Sequence, residues 1–396
     1  MWSTLAGRCA PGLRRPSRDT VASAGGAAVF SCSLGISAVA LPLLALRSGY
    51  TAVEVGVLVA VSAAAQMTTR LLLGAAMRLV GDWVLVLTAG AALCLSNTLV
   101  AVSAALVPFV LAALLQGVAR GCFWTGSQAH VVRGDRPAVG AIATMNFVGS
   151  IGLLTGPVLA GLLAEHSPRT ALGVAAAVAA AAVVPALALD RLPPFQPPAG
   201  RSPTRIWRRS GVDVGCWASV SAGAWWSLLS SYVPVALNAA RQPASTIGAL
   251  VSVASAASVL GSVLVARVRG RWVMRSFVLG TVATGAAIGL VVLVADAWWA
   301  AAALLAVSGL GAGALQTVGP AIATDSVHPE ERGDAVATTG TFRAAALFTA
   351  PLAVAGAIAV IPLAVAMGLA GALISASAFV VPGRGSTNSH PPGPHC

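Results

Sequence analysis

The sequence contains no lysine, and all 24 of its basic residues are arginine. A Walker-type phosphate loop needs its lysine, and a Schiff base with pyridoxal phosphate or retinal needs a lysine amine. The chain therefore carries no ATPase of its own and no Schiff-base cofactor, and we expect no cofactor of any kind. The excess of arginine, together with the many alanines, is typical of a GC-rich bacterial genome.

Charged residues of either sign are also scarce. They make up 9% of the 396 residues, whereas a soluble domain carries about 25%. Hydrophobic residues make up 57%, and the mean hydropathy is +0.85. So few charges cannot build a water-facing surface, so lipid must cover most of the protein. The sequence is that of an integral membrane protein.

Metal and nucleic-acid binding find little support. The six cysteines show no metal-ligand spacing, and those inside apolar runs are small core residues: Cys32, Cys94, Cys122 and Cys216. The net charge of +12 would suggest a nucleic-acid partner for a soluble protein. In a membrane protein the positive-inside rule explains it better. We expect no metal site and no nucleic-acid partner.

Apolar runs of membrane-spanning length occur twelve times, given that a hydrocarbon core about 30 Å thick needs roughly 20 apolar residues per helix. The predicted spans are residues 21–46, 52–74, 83–103, 105–127, 139–164, 171–189, 214–238, 246–266, 277–295, 297–321, 336–358 and 361–381. No charge marks the outer turns of the hairpins 83–127 and 336–381. The fold class predicted is an all-α integral membrane protein with twelve transmembrane helices.

The distribution of loop arginines orients these spans. With the N-terminus inside, 18 arginines lie on the cytoplasmic side. The arginines on the outer side are Arg47, Arg169 and Arg241. Because arginine-rich loops stay in the cytoplasm, we expect both termini there, in a multi-pass protein of the bacterial cytoplasmic membrane.

A Pro- and Arg-rich stretch at residues 190–213 divides the chain into six spans plus six and is predicted to be a cytoplasmic linker. The halves also resemble each other, since Gly117 and Gly121 in span 4 correspond to Gly309 and Gly313 in span 10. Two pseudo-symmetric six-helix bundles follow. The predicted domains are a cytoplasmic arm at 1–20, bundles at 21–189 and 214–381, and a disordered cytoplasmic tail at 382–396.

Several motifs resemble those of the major facilitator superfamily. Leu115-Gln116-Gly117 with Arg120-Gly121 and Phe123-Trp124 is similar to its fourth helix. Residues 152–161 resemble its fifth-helix pattern GxxxGPxxGG, associated with efflux antiporters, through Gly152, Gly156, Pro157 and Gly161. The glycines allow helices to approach closely, and the proline bends the helix where the halves rock. The alternative is ordinary small-residue packing.

The loop between spans 2 and 3 resembles the superfamily signature GxxxD(R/K)xGRR but departs from it. Gly74 and Gly81 are in place, while Arg78 occupies the acidic position. In the superfamily this acid holds the cytoplasmic gate against the eleventh helix. The departure puts that latch in doubt and makes Asp82 a candidate stand-in.

Three arginines fall inside the predicted spans, where a charge costs about 2.5–3.5 kcal/mol at a helix centre. They are Arg70, Arg120 and Arg343. Arg70 and Arg343 can be explained by snorkelling to headgroups or by pairing with Asp82 or Glu331. Arg120 is the most securely embedded, and substrate contact and a structural role are equally open for it. We treat Arg70 and Arg343 as conformational candidates and Arg120 as a substrate-binding candidate.

Aromatic and amide side chains supply the other substrate-binding candidates. They are Trp124, Asn146, Trp225, Trp226 and Gln316. Trp225 lies on one face of span 7 with Trp217 and Ser221, at positions i, i+4 and i+8. Packing in the core is an equally good explanation for these side chains.

No Asp or Glu lies in the middle of any span, although a proton-coupled antiporter normally keeps a titratable group near the midplane. His130, at the inner end of span 4, is the nearest histidine, and we interpret it as interfacial. Protons remain a candidate partner. We expect a pH gradient to drive transport weakly, or through the substrate's own protons.

The sequence therefore favours a monomeric secondary transporter that moves a small amphipathic compound across the bilayer by alternating access, in the direction of efflux. One alternative is an organic-anion carrier in which Arg120 meets a carboxylate or phosphate. Alternatives from other classes are a non-transporting polytopic receptor and an intramembrane enzyme. The enzyme is disfavoured because the chain lacks HExxH, GxSxG and paired intramembrane aspartates.

Overall fold

The computed structural model of the protein describes residues 17–133, 138–194, 206–268, 270–328 and 331–380, and within these ranges all regular structure is helical. The helices are α1 (Arg18–Arg47), α2 (Ala52–Ala76), α3 (Asp82–Val102), α4 (Leu106–Val132), α5 (Ala138–His166), α6 (Pro168–Ala181), α7 (Val183–Leu187), α8 (Val212–Ala239), α9 (Ala244–Val265), α10 (Arg271–Leu290), α11 (Trp298–Asp325), α12 (Arg332–Ile358) and α13 (Leu363–Val380). Because α6 and α7 share one crossing, these helices make twelve crossings, as predicted. The two hairpins without a marking charge are each divided as expected.

Ten of these crossings are long and apolar enough to span a membrane by length and composition, within the described residues. The helix α13 is apolar but shorter. The helix α8 is long, and its serines and tryptophans lower its hydropathy. It is also the most enclosed helix, since most of its residues are buried in the protein. A helix packed among other helices does not need a lipid-facing surface.

Local sequence explains where several helices begin and break. Ser17 caps α1 by accepting a hydrogen bond from the amide of Thr20. Ser167 caps α6, which has Pro168 in its first turn. The sixth crossing breaks between α6 and α7 because Pro185 has no amide hydrogen to continue the helical ladder.

The helices pack into two halves with matching contacts. In the first half α1 packs on α5, α2 on α4, and α3 on α4 and α6. In the second half α8 packs on α12, α9 on α11, and α10 on α11 and α13. The main interfaces between the halves are α2 with α12 and α5 with α9. The two interfaces are equivalent, because the pseudo-two-fold symmetry relates α2 to α9 and α12 to α5. This is the two-bundle architecture that the sequence predicted.

The glycine pairs of the repeat occupy equivalent positions. A Cβ at Gly117 would lie 2.2 Å from the carbonyl oxygen of Ser62 on α2. A Cβ at Gly309 would lie 2.2 Å from the carbonyl oxygen of Ala254 on α9. Both glycines therefore allow backbone-to-backbone contact of the fourth crossing with the second, or of the tenth with the eighth. The similarity of the two halves is structural as well as sequential.

Several close contacts between the halves lie toward one end of the molecule. We call the end where α1 begins the linker end and the opposite end the far end. Near the far end a Cβ at Gly248 of α9 would lie 2.1 Å from the carbonyl oxygen of Pro157 on α5. Ser252 donates a 2.8 Å hydrogen bond to the carbonyl oxygen of Leu154, and Gly56 of α2 lies against Tyr232 of α8. The far end is therefore the closed end.

Some predicted features fall on residues outside the described ranges. These are the N-terminal arm except residues 17–20, the middle of the linker at 195–205, and the tail from residue 381. The parts of the linker that the structure describes, residues 190–194 and 206–213, lie at the linker end of the molecule. There Arg209 forms an ion pair with Glu331, just before α12. This pairing lowers the pKa of the Glu331 carboxyl.

Candidate substrate site

Arg120 lies near the middle of α4, twelve residues before its end at Val132. At 1.5 Å per residue this is about 18 Å from the linker end, in the middle of the crossing. Its Nη2 donates a 2.7 Å hydrogen bond to Oε1 of Gln116, one turn earlier on the same helix. The amide nitrogen of Gln116 is then buried without a hydrogen-bond partner. The prediction from residue counting that Arg120 is embedded is consistent with this position.

A row of polar side chains on α2 faces this part of α4. Ser62, Gln66 and Arg70 follow one another at i, i+4 and i+8, which places them on one face of the helix. Each has a buried polar atom without a hydrogen-bond partner: the hydroxyl of Ser62, Oε1 of Gln66 and Nε of Arg70. Unpaired buried polar atoms cost free energy and in native proteins call for an explanation. In this protein three such atoms lie on one face of α2.

The second half contributes a matching group. Arg343 lies eleven residues into α12, about 16 Å from the linker end. Its Nη1 donates a 3.1 Å hydrogen bond to Oε1 of Gln316 on α11, and Nε2 of Gln316 donates a 3.2 Å bond to the hydroxyl of Ser258 on α9. The substrate candidate Gln316 and the conformational candidate Arg343 are therefore in direct contact.

The three arginines have no carboxylate partner among the described residues. Arg70 and Arg343 lie on the adjacent helices α2 and α12. The acids proposed as their partners are engaged elsewhere, since Asp82 contacts His130 and Arg133. Glu331 pairs with Arg209. Of the two explanations given for Arg70 and Arg343, pairing with these acids is not seen among the described residues, because other cations hold both acids; snorkelling to the headgroups stays a prediction.

A small cavity of about 50 Å³ reaches Arg120 from the far-end side of the first half. Its walls are mainly apolar and come from α1, α2 and α4, with Ser62, Gln116 and Arg120 as the polar groups. Such a space accommodates a few water molecules but not a drug-sized ligand, which needs about 300 Å³ or more. In this conformation Ser62, Gln116 and Arg120 therefore line a small space and not an open chamber for substrate.

The aromatic and amide candidates lie in varied surroundings. Trp225 is fully buried and donates a 3.1 Å hydrogen bond to the hydroxyl of Ser308, which favours the packing alternative for it. Trp226 is partly buried beside it, and Trp124 packs edge-on against Phe123. Asn146 is exposed near the start of α5.

The glycines of the fifth-helix motif line two interfaces. Gly152 and Gly156 pack on α1, where an added Cβ would lie 2.1 Å and 2.5 Å from the backbone oxygens of Ala28 and Cys32. Gly161 packs instead on α9 of the other half. The proline at 157 lies inside α5 between these contacts. The motif therefore joins one helix of its own half and one of the opposite half.

The motif between spans 2 and 3 serves contacts within the first half. Gly74 lies in the last turns of α2, and Gly81 immediately precedes α3, where an added Cβ would press on Trp83. The carboxylate of Asp82 contacts His130 and Arg133, which both belong to the first half. The described contacts of Asp82 thus join α3 to α4 rather than to α12.

Sequence reasoning did not select Ser62, Gln66 and Gln116 as site residues. A usable signal existed, because Ser62, Gln66 and Arg70 share one face of an otherwise apolar helix, and Gln116 precedes Arg120 by one turn. What the sequence could not show is that these two faces meet.

Comparisons with known proteins agree with the architecture. The family model of the Major Facilitator Superfamily matches residues 24–351. Among solved structures, a mutant of the nucleoside transporter NupG superposes with a TM-score of 0.75 at 12% identity, covering 91% of this chain and 97% of the other. No curated protein matches the sequence.

Two further similar structures are transporters of the POT family. One, solved in complex with 5-aminolevulinic acid, has a TM-score of 0.75 at 11% identity and covers 93% of this chain and 96% of the other. The second, in complex with a thioalcohol-conjugated peptide, has a TM-score of 0.73 at 10% identity and covers 92% and 95%. Identities this low show the fold alone. The family match over most of the sequence shows that the chain belongs to the Major Facilitator Superfamily and is a multi-pass membrane transporter rather than an enzyme.

Proposed function

We propose that this protein is a secondary transporter that exports a small amphipathic organic anion by alternating access. The observation that carries the proposal is that three half-buried guanidiniums, at Arg70, Arg120 and Arg343, have no carboxylate partner among the described residues. A guanidinium offers five hydrogen-bond donors and no acceptor. A substrate that supplies negative charge and several acceptor oxygens complements this group.

The neighbouring side chains support an anion over a cation. The buried polar atoms without partners include two donors, the amide nitrogen of Gln116 and Nε of Arg70, and the hydroxyl of Ser62, against one pure acceptor, Oε1 of Gln66. Among the described residues, Arg120 and Arg343 each make one hydrogen bond, in both cases to a glutamine oxygen, so most of their donors remain available. A carboxylate or phosphate can accept from several of these donors at once, and bonds to charged groups are the stronger ones.

The amphipathic character of the substrate follows from the walls beside Arg120. The cavity that reaches this residue is lined mainly by aliphatic side chains and Phe109. An apolar group attached to the anionic one would occupy such a surface as the halves separate. The direction of export rests on the similarity of residues 152–161 to the efflux pattern. Both halves of the site lie in one chain, so a monomer suffices.

An anion screen tests the substrate class. Purified protein in lipid nanodiscs is heated with a panel of aromatic and aliphatic carboxylates, phosphate esters and sulfonates, each matched with its neutral amide or alcohol. Since a ligand that binds only the folded state raises Tm, we expect stabilisation by some anions but not by their neutral partners; at 100 times Kd it amounts to about 2.7 kcal/mol. Stabilisation by cations or neutral compounds alone would reject the anion.

A labelling experiment tests the orientation. Export from a bacterial cytoplasmic membrane with both termini inside requires that the linker at 190–213 faces the cytoplasm. We expect Gly200→Cys, in a background without the native cysteines, to react with a membrane-impermeant maleimide only after the cells are opened. A cysteine in place of Arg169, in the loop predicted to lie outside, serves as the control and should react in intact cells. Labelling at 200 from outside would contradict the orientation.

A further inference from the structure

A buried cluster of charged groups lies at the linker end, away from the arginines of the candidate site. His130, in the last turn of α4, has one ring nitrogen facing each of two carboxylates. Its Nε2 lies 2.7 Å from Oδ1 of Asp19 on α1, and its Nδ1 lies 3.3 Å from Oδ2 of Asp82 on α3. The side chains of His130 and Asp82 are each only 1% exposed, whereas that of Asp19 is 20% exposed.

This arrangement determines the charge of the imidazole. Ionised carboxylates only accept hydrogen bonds, and a neutral imidazole has one donor and one acceptor nitrogen. A neutral His130 would therefore direct a lone pair at one of the two carboxylates. In the imidazolium, Nε2 donates to Asp19, and Nδ1, which is buried without a hydrogen bond, carries its N–H in ion-pair contact with Asp82. With Arg133, whose Nη1 lies 3.3 Å from Asp82, the cluster then holds two positive and two negative charges.

Other charged groups at this end do not replace the proton. On α1, Arg18 is exposed, and beyond the end of α2, Arg78 is exposed as well. Arg191, after α7, lies over the ring of Trp83. Among the described residues, only Asp19, Asp82 and Arg133 form ion pairs within the cluster.

The cluster also holds the segment that leads into the linker. The amide of Asp190 donates a 3.1 Å hydrogen bond to Oδ1 of Asp19, the same oxygen that faces His130. Nη2 of Arg133 donates a 2.6 Å bond to the carbonyl oxygen of Pro193. The cluster around one buried imidazole thus connects α1, α3 and α4 with residues 190–193, where the chain leaves the first half.

We propose that His130 is a proton-binding site of the first half, at which a bound proton holds residues 190–193 and the adjacent ends of α1 and α3 together. Loss of the proton leaves the cluster with one uncompensated negative charge, because two carboxylates then face Arg133 alone. The contact with residues 190–193 is thereby released. The site exchanges protons with water at the linker end through the partly exposed Asp19. His130 lies at the inner end of the fourth crossing, as expected from the sequence, and there it is buried in the protein.

Two measurements on the full chain in nanodiscs test the proposal. Nitrogen-15 NMR of labelled histidine reads the charge of His130 in the wild-type protein, with His130→Gln identifying its signal. We expect an imidazolium at pH 6. Hydrogen–deuterium exchange, corrected for the intrinsic pH dependence, reads the protection of the peptide that contains Asp190. We expect protection to fall about tenfold between pH 6 and pH 9, the factor that 1.4 kcal/mol represents.

Variants separate this site from a general effect of pH. His130→Gln is expected to lack protection at both pH values, whereas His166→Gln, an exposed histidine at the end of α5, should behave like the wild type. Should His130→Gln not fold, Asp82→Asn, which removes one of the two facing carboxylates, is expected to lower the pH at which protection is lost. A neutral His130 at pH 6, or wild-type protection that does not change with pH, would overturn the proposal.

Discussion

Replacing Arg120 by glutamine is expected to lower kcat/KM for the transported anion by about 30- to 1,000-fold. Removing one partner of a desolvated, hydrogen-bonded charge pair costs about 2–4 kcal/mol, which corresponds to that range. Glutamine retains hydrogen-bonding capacity but has no positive charge. Uptake into proteoliposomes, using the anion that gives the largest thermal shift, measures the effect per folded molecule.

Two further variants show whether the charge or the shape of Arg120 matters. Arg120→Lys keeps the charge but loses the planar fork that binds two oxygens at once, so an intermediate loss is expected. Arg47→Gln removes an exposed arginine at the end of α1 and serves as the matched control with unchanged transport. If Arg120 is only structural, its variants will lose Tm before they lose specific activity. Wild-type transport per folded molecule in Arg120→Gln would end the anion-site hypothesis.

Replacing Gly248 by alanine is expected to open the far end of the molecule. The added methyl group would lie 2.1 Å from the carbonyl oxygen of Pro157 and 2.9 Å from Cα of Gly161, so it meets backbone atoms that cannot rotate away. Because α9 and α5 belong to different halves, they can separate as rigid bodies. An overpacking cost of about 1–3 kcal/mol shifts the ratio of the two conformations by about 5- to 150-fold.

Distances between spin labels measure this shift. Labels at Glu165, near the end of α5, and at Arg241, just before α9, are both exposed and report on the far end. The Gly248→Ala variant should move the distance distribution to longer values. It should also lower the rate of transport, because the return of the far end to its closed conformation becomes unfavourable.

Matched glycine variants distinguish a change of conformation from a loss of stability. Gly117→Ala creates a similar clash, 2.2 Å from a carbonyl oxygen of α2, but within one half. It should lower Tm without changing the label distances. Gly368→Ala, with no atom within 4 Å of the added carbon, should change neither. A distance distribution that Gly248→Ala leaves unaltered would contradict the assignment of this contact to the closing of the far end.

The anion proposal depends on an imbalance that is unusual for the interior of a membrane protein. Charged residues inside a membrane normally pair with one another or with backbone carbonyls. Here the two acids that the sequence offered as partners for Arg70 and Arg343 are Asp82 and Glu331. Both pair with other cations near the linker end. The guanidiniums are consequently left to glutamine oxygens, water and the substrate.

The number of crossings, the division into halves and the embedding of Arg120 followed from the sequence. Each depends on local composition, because a crossing needs about 20 apolar residues whatever surrounds it. Residue counting placed Arg120 in mid-membrane since the 37 residues between Asp82 and Arg120 must contain a whole helix, a turn and part of another helix. The close glycine contacts were also predictable, because a small residue repeated every four positions has few other uses in a lipid-facing helix.

The partners of the charged and polar side chains were decided only by the tertiary structure. These helices are apolar on all sides, so hydrophobic periodicity does not reveal how each is rotated about its axis. That rotation brings Gln66 of α2 to the same region as Gln116 of α4, and buries His130 between Asp19 and Asp82. Lipid and protein core are equally apolar environments, and the sequence alone therefore does not distinguish the face of a helix that meets lipid from the face that meets another helix.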